Sequence, residues 1–372
     1  MPPSHAKHVT FAYVGSLQSR GRLLKQIATL QKSGVTCDVV LGNTNDQLPN
    51  PNDFNFPIQT IAVDQNSGRL SSFLNQMRYA RNASRLIAAG AADTVVCVSL
   101  ESLMAGVLAK RIRPGLRLVF DNNELQIESF ESRIKRAVWR PIHNHAIRHC
   151  DVILHAEPNR LEYFMKTYPG RDKPQVVVEN FPFFIGNEAR NSIPGDNVRV
   201  IYLGGFGTGR YTFEIIEAFA NQPDNIKLDI VGFGTKDYLA QVEARITELG
   251  NPGIRVLPPV PYLQIGTFLK DYHIGLAFYK NTDLNNYYCA PNKVYDYLMN
   301  GMPVISNAYP GLIQVIAANQ VGVCLETVDT ATIGVAIHAI IENRMWENIT
   351  PDLQRRYCWE EQEPRYLAVF GF

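Results

Sequence analysis

Short, almost uninterrupted apolar runs alternate with amphipathic segments along most of the chain, and this alternation limits the fold more than any other feature of the sequence. Continuous apolar runs are typical of parallel strands buried on both faces, and amphipathic segments between them are typical of crossover helices. The runs predicted as strands are 8–14, 36–42, 93–99, 117–122, 151–156, 175–180, 198–205, 226–234, 254–260, 274–279 and 302–306. The segments predicted as helices are 22–34, 73–90, 103–112, 212–222 and 293–300. The sequence therefore predicts an α/β fold with doubly wound parallel sheets.

One segment rich in proline, glycine and asparagine, 181–197, interrupts this alternation and has the composition of a linker. The chain has 372 residues, which is more than one hydrophobic core usually serves. We therefore predict two Rossmann-like domains, at residues 1–185 and 196–345. Two such domains facing each other leave a cleft at the carboxyl ends of both sheets, where ligands of this fold class bind.

Charge is unevenly distributed between the two predicted domains. Residues 1–190 carry a formal net charge of +7, and the remainder carries −6. A basic half suggests an anionic partner, such as a phosphate or a lipid surface, although an uneven solvated surface explains the count equally well. The total of +1 indicates no nucleic acid partner.

The cysteines and the amino terminus indicate where the protein works. The six cysteines form no C-x-x-C pair, which is typical of free thiols in a reducing compartment. The start of the chain has no apolar signal core, and no apolar run is long enough to span a bilayer. We therefore expect a cytoplasmic protein. His143, His145 and His149 lack a nearby carboxylate or second cysteine, so no metal site is predicted.

A glycine-rich loop follows the predicted strand 198–205 and reads GGFGTGR. Glycines such as Gly205 and Gly207 let backbone N–H groups approach a phosphate closely. The dinucleotide pattern G-x-G-x-x-G fails because Arg210 stands at its last position, so NAD is disfavoured. Arg210 is a candidate bidentate partner for a diphosphate, and a solvent-exposed arginine in a turn is the alternative.

The segment PNKVYDYLM, at 291–299, places a lysine in the first turn of a predicted helix. Asn292 is the expected N-cap. A cation at Lys293 opposes the helix dipole, so its position is better explained if an anion binds over the same helix end. Asp296 lies one turn further on and is a candidate acceptor for ribose hydroxyl groups. The alternative is a salt-bridged helix surface.

Two further turns follow predicted strands. Gly232 belongs to the turn IVGFG at 230–234. The proline-rich segment LPPVPY, at 257–262, leaves exposed carbonyl groups and few N–H groups, so the backbone of Val260 and Tyr262 can present an edge to a base. A rigid connection between strand and helix is the alternative function of that segment.

Taken together, these segments resemble retaining nucleotide-sugar glycosyltransferases of family 4, which have the two-domain fold called GT-B. The segment NYYCAPNKVYDYLMNGMPVISN resembles their PNKLFEYMAAGLPVI pattern, and VRVIYLGGFGTGR resembles the opening of their donor domain. RLVFDNNELQIE, at 117–128, resembles LVYDSHELFPE. CWEEQ, at 358–362, resembles the W-E-x-Q start of their last helix, which implies that 346–372 crosses back to the first domain.

The resemblance implies a role for each matched residue. Arg210 and Lys293 would bind the donor diphosphate and stabilise the leaving nucleotide. Asp296 matches the second glutamate of the E-x7-E motif and would bind the ribose. The backbone near Val260 and Tyr262 would contact the base, and Gly15 would let its loop approach the donor phosphates.

Two departures from the pattern affect the sugar site. Tyr288 stands where the family often has its first glutamate, and Asn123 stands where it often has a histidine. Asparagine still donates and accepts hydrogen bonds, but it cannot become a cation. Glu124 remains a candidate base for the acceptor hydroxyl, together with Glu101, Asp121 and Glu128. In retaining GT-B enzymes the leaving phosphate can take that proton instead.

The sequence thus predicts a retaining hexosyltransferase without metal or cofactor that uses a UDP- or GDP-sugar in bacterial surface polysaccharide or glycolipid synthesis. Two alternatives stay open: a sugar-nucleotide-binding protein without activity, and a GT-B nucleotide-sugar epimerase. Basic residues in 69–85 and 131–150, together with Trp139, also predict peripheral contact with an anionic membrane and a saccharide or lipid-linked acceptor.

Overall fold

The computed structural model divides the chain into two compact units. It describes residues 6–17, 20–44, 50, 53–63, 69–130, 132–186, 193–195, 197–220, 222–261, 264–289 and 291–372. The first unit takes the described residues of Met1–Glu179 together with Gln362–Phe372, and the second takes those of Asn180–Glu361. The boundaries predicted from the sequence were 185, 196 and 346, and the two units meet along the chain after Glu179 and after Glu361.

The first unit is built on a parallel seven-stranded sheet with the order β3-β2-β1-β4-β5-β6-β7. Its strands are β1 His8–Val14, β2 Thr36–Asn43, β3 Ile58–Ala62, β4 Thr94–Cys97, β5 Arg117–Asn122, β6 Val152–His155 and β7 Gln175–Val177. All four residues of β4 and of β6 are buried, as continuous apolar strands require. The edge strand β3 is mostly half-buried or exposed.

Helices cover this sheet and connect its strands. They are α1 Gly21–Lys32, α2 Arg69–Ala89, α3 Leu100–Ile112, α4 Gln126–Ser129, α5 Arg133–Ile147 and α6 Pro158–Thr167. Ser99 begins α3 through a capping box with Ser102, and Pro158 occupies the first turn of α6, where its missing N–H costs nothing. The strand order reverses between β1 and β4, so a ligand crevice is expected beyond the carboxyl ends of those strands.

The second unit repeats this plan with a parallel six-stranded sheet of order β10-β9-β8-β11-β12-β13. Its strands are β8 Val198–Leu203, β9 Ile226–Val231, β10 Ile254–Leu257, β11 Ile274–Ala277, β12 Val304–Asn307 and β13 Gly322–Leu325. Its helices are α7 Thr212–Ala220, α8 Lys236–Leu249, α9 Ile265–Phe268, α10 Leu284–Tyr287, α11 Asn292–Met299, α12 Pro310–Leu312, α13 Thr330–Glu342 and α14 Pro351–Arg356. Short helical turns follow at Leu269–Asp271, Ile313–Ala317 and Met345–Asn348. Here the order reverses between β8 and β11.

The predicted α/β class with two doubly wound parallel sheets is confirmed. The predicted elements did not include strands β3 and β13, the longer helices α5, α6, α8 and α13, or the short helices α4, α9, α10, α12 and α14. Within the described residues, no helix has both the length and the apolar character needed to cross a membrane.

The last helix, α15 Trp359–Ala368, begins in the second unit and ends in the first. Trp359 donates its backbone N–H to Pro182 O (2.7 Å) within the second unit. In the first unit, Gln362 Oε1 accepts from the Glu179 N–H (3.0 Å), and Phe370 O accepts from the Ala6 N–H (3.0 Å). The rings of Tyr366 and Phe370 are fully buried there, with centroids 5.1 Å apart.

Phe370→Ala should lower the free energy of unfolding of the first unit by about 3–5 kcal/mol, because it removes a fully buried ring. Phe372→Ala is the matched control, since that ring is 43% exposed and its loss should cost less than about 1 kcal/mol. Urea denaturation followed by circular dichroism measures both. Equal losses for the two variants would contradict a tail held by its buried ring.

Candidate functional site

Two glycines bring the loops after β8 and β9 into direct contact at the edge where the second sheet reverses its strand order. Gly204 has φ +135° and donates its N–H to Val231 O (2.8 Å), and Gly232 has φ +154°. A Cβ on Gly232 would lie 1.9 Å from Gly204 O, so no other residue fits there. Gly205 and Gly207, predicted to approach a phosphate, follow in the same loop, and a Cβ on Gly207 would meet open space.

Lys293, in the first turn of α11, lies beside this glycine loop. Its Nζ is 4.2 Å from the ring centroid of Tyr202 and 5.2 Å from that of Tyr279. A Cβ on Gly204 would lie 3.0 Å from the same Nζ, so the glycine makes room for the ammonium group. The position of Lys293 therefore depends on two aromatic rings and one missing side chain.

Arg210 ends the glycine loop and contacts the same tyrosine. Its Cζ is 4.3 Å from the Tyr279 centroid, and Nη1 donates to Gly209 O (2.9 Å). In the described part of the chain, no carboxylate forms an ion pair with Arg210 or with Lys293, whereas nearby Lys280 is paired with Glu214 at 3.0 Å. Two cations thus converge on the ring of Tyr279.

This arrangement changes the pKa of Lys293. Burial first, and then the positive charge of Arg210, lower the pKa of Lys293 to about 7, and Cys289 acts in the opposite direction. Desolvation and like charge both disfavour the ammonium form. An anion bound beside the two cations would offset both penalties by its attraction, so the pair is suited to a phosphate or diphosphate.

Helix α11 is held under the sheet by Tyr297. The backbone N–H of Leu203 donates to the Tyr297 hydroxyl (3.0 Å), and that hydroxyl donates to Leu276 O (3.4 Å). A Cβ on Gly275 would lie 2.2 Å from the Tyr297 ring, so β11 needs glycine at this point. These contacts fix α11, the helix that carries Lys293, relative to β8 and β11.

The other residues predicted around α11 lie as follows. Asp296 is half-buried one turn after Lys293. Tyr288 follows α10, and its ring centroid is 4.9 Å from that of Tyr287. The prediction of Asn292 as N-cap is wrong: Pro291 is the N-cap residue, and Asn292 begins the helix. The Asn292 Oδ1 instead accepts from Asn180 Nδ2 (2.7 Å).

The proline-rich segment after β10 forms one wall of a groove of about 680 Å³. Val260 lines this groove, and Tyr262 lies outside the described residues. The groove is lined by Leu257, Pro258, Pro259, Val260, Pro261, Gln264, Thr267 and Phe268. Its largely apolar lining and exposed prolines suit a flat base.

The first unit has a pocket of about 180 Å³ beyond the carboxyl ends of β1, β4 and β5, where its strand order reverses. It is lined by Tyr13, Val14, Arg20, Val98, Ser99, Glu101, Phe120, Asp121, Asn122, Asn123, Glu124 and Gln126. Gly15 follows β1 with φ +137°, and a Cβ there would lie 2.3 Å from the Tyr13 hydroxyl. The predicted Asn123 and Glu124 therefore share one pocket.

The four carboxylates considered as bases differ sharply in environment. Asp121 is fully buried and bound by Arg22 and Gln26, each at 2.8 Å. Glu128 accepts from Arg140 (2.8 Å) and from the Tyr168 hydroxyl. The carboxylates of Asp121 and Glu128 are thus each engaged by an arginine, and this favours the other two as candidate bases. Glu124 is exposed and Glu101 is half-buried, and both line the pocket.

Asn123 is held through its backbone, since its carbonyl accepts from Arg160 Nη1 (2.5 Å). Its buried side-chain oxygen has no hydrogen-bond partner within the described structure.

Arg20 was not predicted, although it lies just beyond the carboxyl end of β1. It donates to the Tyr13 hydroxyl and lines the same pocket. The position of Arg20 just after the first predicted strand was the sequence feature that could have identified it. Tyr202 and Tyr279, whose rings contact the cations of the second unit, were also not predicted.

The histidines of α5 and its end are divided between core and surface. Burial, reinforced by the charge of Arg140, lowers the pKa of His143 to about 3, and its ring packs against Tyr168. His145 and His149 are exposed, with Nε2 atoms 3.3 Å apart. The described residues contain no group of three or more histidine, cysteine or carboxylate side chains suited to a metal.

Comparison with known proteins relates both units to one fold. Residues 186–357 match the family described as glycosyl transferases group 1. The apo lipopolysaccharide outer core galactosyltransferase WaaB is 16% identical, with coverage of 97% of this chain and 99% of that one and a TM-score of 0.70. Anabaena Alr3699/HepE with UDP-glucose is 14% identical, with coverage of 97% and 98% and a TM-score of 0.73.

A third solved structure, a putative UDP-N-acetylglucosamine 2-epimerase from Listeria monocytogenes, is 13% identical, with coverage of 98% of this chain and 96% of that one and a TM-score of 0.67. A search of curated proteins finds no match. The chain therefore has the GT-B fold that the resemblance implied.

Lys293→Met should raise the free energy of unfolding most at pH 7 and below, and this gain should shrink as the pH rises towards 10. Between a folded pKa of about 7 and an unfolded value near 10.4, the unfolded state binds more protons, so stability increases with pH when Lys293 is present. Urea denaturation of both proteins at several pH values measures the difference.

Lys227→Met serves as the control because Lys227 is exposed on β9. This variant should show the same pH dependence as the unmodified chain. A Lys293→Met curve that is parallel to the unmodified one from pH 6 to 10 would show that Lys293 has an ordinary pKa.

Proposed function

We propose that the protein is a glycosyltransferase that moves a sugar from a nucleoside diphosphate sugar to an acceptor hydroxyl, with retention of the anomeric configuration. The observation that carries the proposal is the pair of cations, Lys293 and Arg210, which share the Tyr279 ring without a carboxylate partner in the described part of the chain. The match of residues 186–357 to glycosyl transferases group 1 supports it.

In this proposal the cations bind the donor diphosphate. Their positive charge stabilises the negative charge that develops on the leaving β-phosphate oxygen as the bond to the anomeric carbon breaks. Backbone N–H groups of Gly205 and Gly207 would add hydrogen bonds to the same phosphates. Because two fixed cations supply this charge, we propose that transfer needs no metal ion.

The remaining donor groups would be bound around this centre. Asp296 would accept hydrogen bonds from the ribose, and the groove at Val260 would take the base. Tyr288 would contact the transferred sugar in place of a carboxylate. Solved structures of Alr3699/HepE contain UDP or UDP-glucose, which makes a UDP-sugar the first donor to test.

The acceptor would bind at the pocket of the first unit that contains Asn123 and Glu124. Its hydroxyl oxygen would attack the anomeric carbon from the side of the leaving group, and its proton would pass to the departing phosphate oxygen. Glu124 or Glu101 would orient the acceptor hydroxyl, since Asp121 and Glu128 are already bound by arginines. Products of this kind fit bacterial surface polysaccharide or glycolipid synthesis in the cytoplasm, at the inner face of a membrane.

Lys293→Ala and Arg210→Ala should each weaken UDP binding by roughly 10- to 150-fold, because a charge-assisted hydrogen bond contributes about 1.5–3 kcal/mol. Isothermal titration calorimetry measures the affinity, and circular dichroism checks that the variants fold. Lys227→Ala removes the same charge at an exposed position of β9 and should bind UDP normally. Unchanged affinity in both test variants would remove the phosphate site from the proposal.

The epimerase is a second candidate because of the structural similarity to the Listeria protein. Incubation of the purified protein with UDP-glucose and UDP-N-acetylglucosamine, without acceptor, separates the candidates. A transferase should release UDP and free sugar slowly and leave the remaining donor unchanged. Formation of an epimer, seen by NMR, would favour the epimerase, and binding without any turnover, with or without added acceptor glycans, would favour an inactive binding protein.

A further inference from the structure

Helix α5 of the first unit exposes a narrow apolar stripe. Ile134 is 73% exposed and Val138 is 46% exposed, and both Ala137 and Pro141 are exposed beside them. Their spacing of three and four residues places them on one side of the helix. The opposite side carries the buried residues Trp139, His143, Ala146 and Ile147. We call Ile134, Ala137, Val138 and Pro141 the α5 stripe.

Trp139 is not part of this stripe. It is 3% exposed and packs edge to face against Phe73 of α2, with ring centroids 5.6 Å apart. The expectation that Trp139 acts as a membrane anchor is therefore wrong, because its ring fills the core between two helices. Ile134 and Val138 are therefore the largest apolar side chains that the α5 stripe exposes.

The stripe is surrounded by positive charge. Helix α5 contains four basic residues and no Asp or Glu, and Arg133 and Lys135 are exposed next to Ile134. Helix α2 likewise contains four basic residues and no acidic one. Arg78, Arg81 and Arg85 are exposed at intervals of three and four residues, on one side of that helix.

Helices α2, α3 and α5 cover the same face of the first sheet, because their buried residues belong to one core cluster. Helix α3 packs against both α2 and α5. Its end adds Ile112, which is 59% exposed, and exposed Arg111, whose guanidinium lies 2.9 Å from His145 Nε2. The basic residues and the apolar stripe therefore lie on one side of the first unit.

We propose that this side of the first unit binds the surface of a bilayer that contains anionic lipid, with Ile134 and Val138 inserted among the headgroups. The charge pattern favours this occupant: helices with exposed apolar residues, several cations and no acid suit a fluid anionic surface. The proposal rests on the proposed function only in one consequence, that the acceptor is lipid-linked and is met at the membrane.

Sedimentation with phosphatidylcholine vesicles, with and without phosphatidylglycerol, tests the binding of the full chain. The protein should sediment with the anionic vesicles at low salt, be released at high salt, and bind neutral vesicles weakly, because surface charges are screened within about 10 Å at 0.1 M salt. Equal binding to neutral and anionic vesicles, or no binding at low salt, would overturn the proposal.

Two sets of variants locate the surface. Arg78→Gln, Arg81→Gln and Arg85→Gln together should weaken binding roughly 100-fold, at about fivefold for each basic residue. Ile134→Asp with Val138→Asp should weaken it as well, without unfolding, since both side chains are exposed. The matched controls are Val335→Asp, 69% exposed in the second unit, and Lys227→Gln with Lys236→Gln, which should bind as the unmodified chain does.

Nucleotide titration without vesicles keeps the two proposals separable. If both test variants bind UDP normally and bind vesicles as the unmodified chain does, the proposed membrane-binding surface is wrong. The transferase proposal is unaffected by that result. Vesicle binding that depends on α2 and α5, in a protein that binds no nucleotide, would support the surface and contradict the proposed function.

Discussion

The second unit brings two positive charges together at one tyrosine ring, and among the described residues no carboxylate is paired with either. Lys293 and Arg210 contact the ring of Tyr279. The Tyr297 hydroxyl and the space left by Gly204 position Lys293, and Arg210 donates to Gly209 O. Burial and the nearby guanidinium of Arg210 both disfavour the charge on Lys293. The chain retains a locally unfavourable arrangement at the place where the sheet order reverses, which is where strain at a functional site is expected.

The two units have the same backbone arrangement at the carboxyl end of their first strand. In each, the first strand ends at a glycine with positive φ, Gly15 after β1 and Gly204 after β8, and in each the loop packs against the neighbouring strand's end. The contents of the two edges then differ. The second unit places cations there, whereas the first places a polar pocket with one arginine and two carboxylates, Glu101 and Glu124, that form no ion pair within the described structure.

The fold class was predictable because continuous apolar strands and amphipathic helices produce the pattern directly. The edge strand β3 escaped prediction, since an edge needs no continuous apolar run. Lys293 and Arg210 were predictable from the loop and helix start, but the depressed lysine pKa was not, because it depends on Tyr202, Tyr279 and the distance between two cations. The ion pairs of Asp121 with Arg22 and of Glu128 with Arg140 were not predictable either, because only folding brings these residues together.

The lowered pKa of Lys293 has a chemical consequence of its own. A lysine with a pKa of about 7 is present in large part as the free amine at neutral pH, and a free amine is a nucleophile. Most surface lysines, being fully charged, react slowly with acylating reagents and carbonyl compounds. A small acylating reagent without a phosphate group should therefore react with Lys293 in the nucleotide-free protein, and a bound anion, by restoring the charge on the amine, would suppress that reaction.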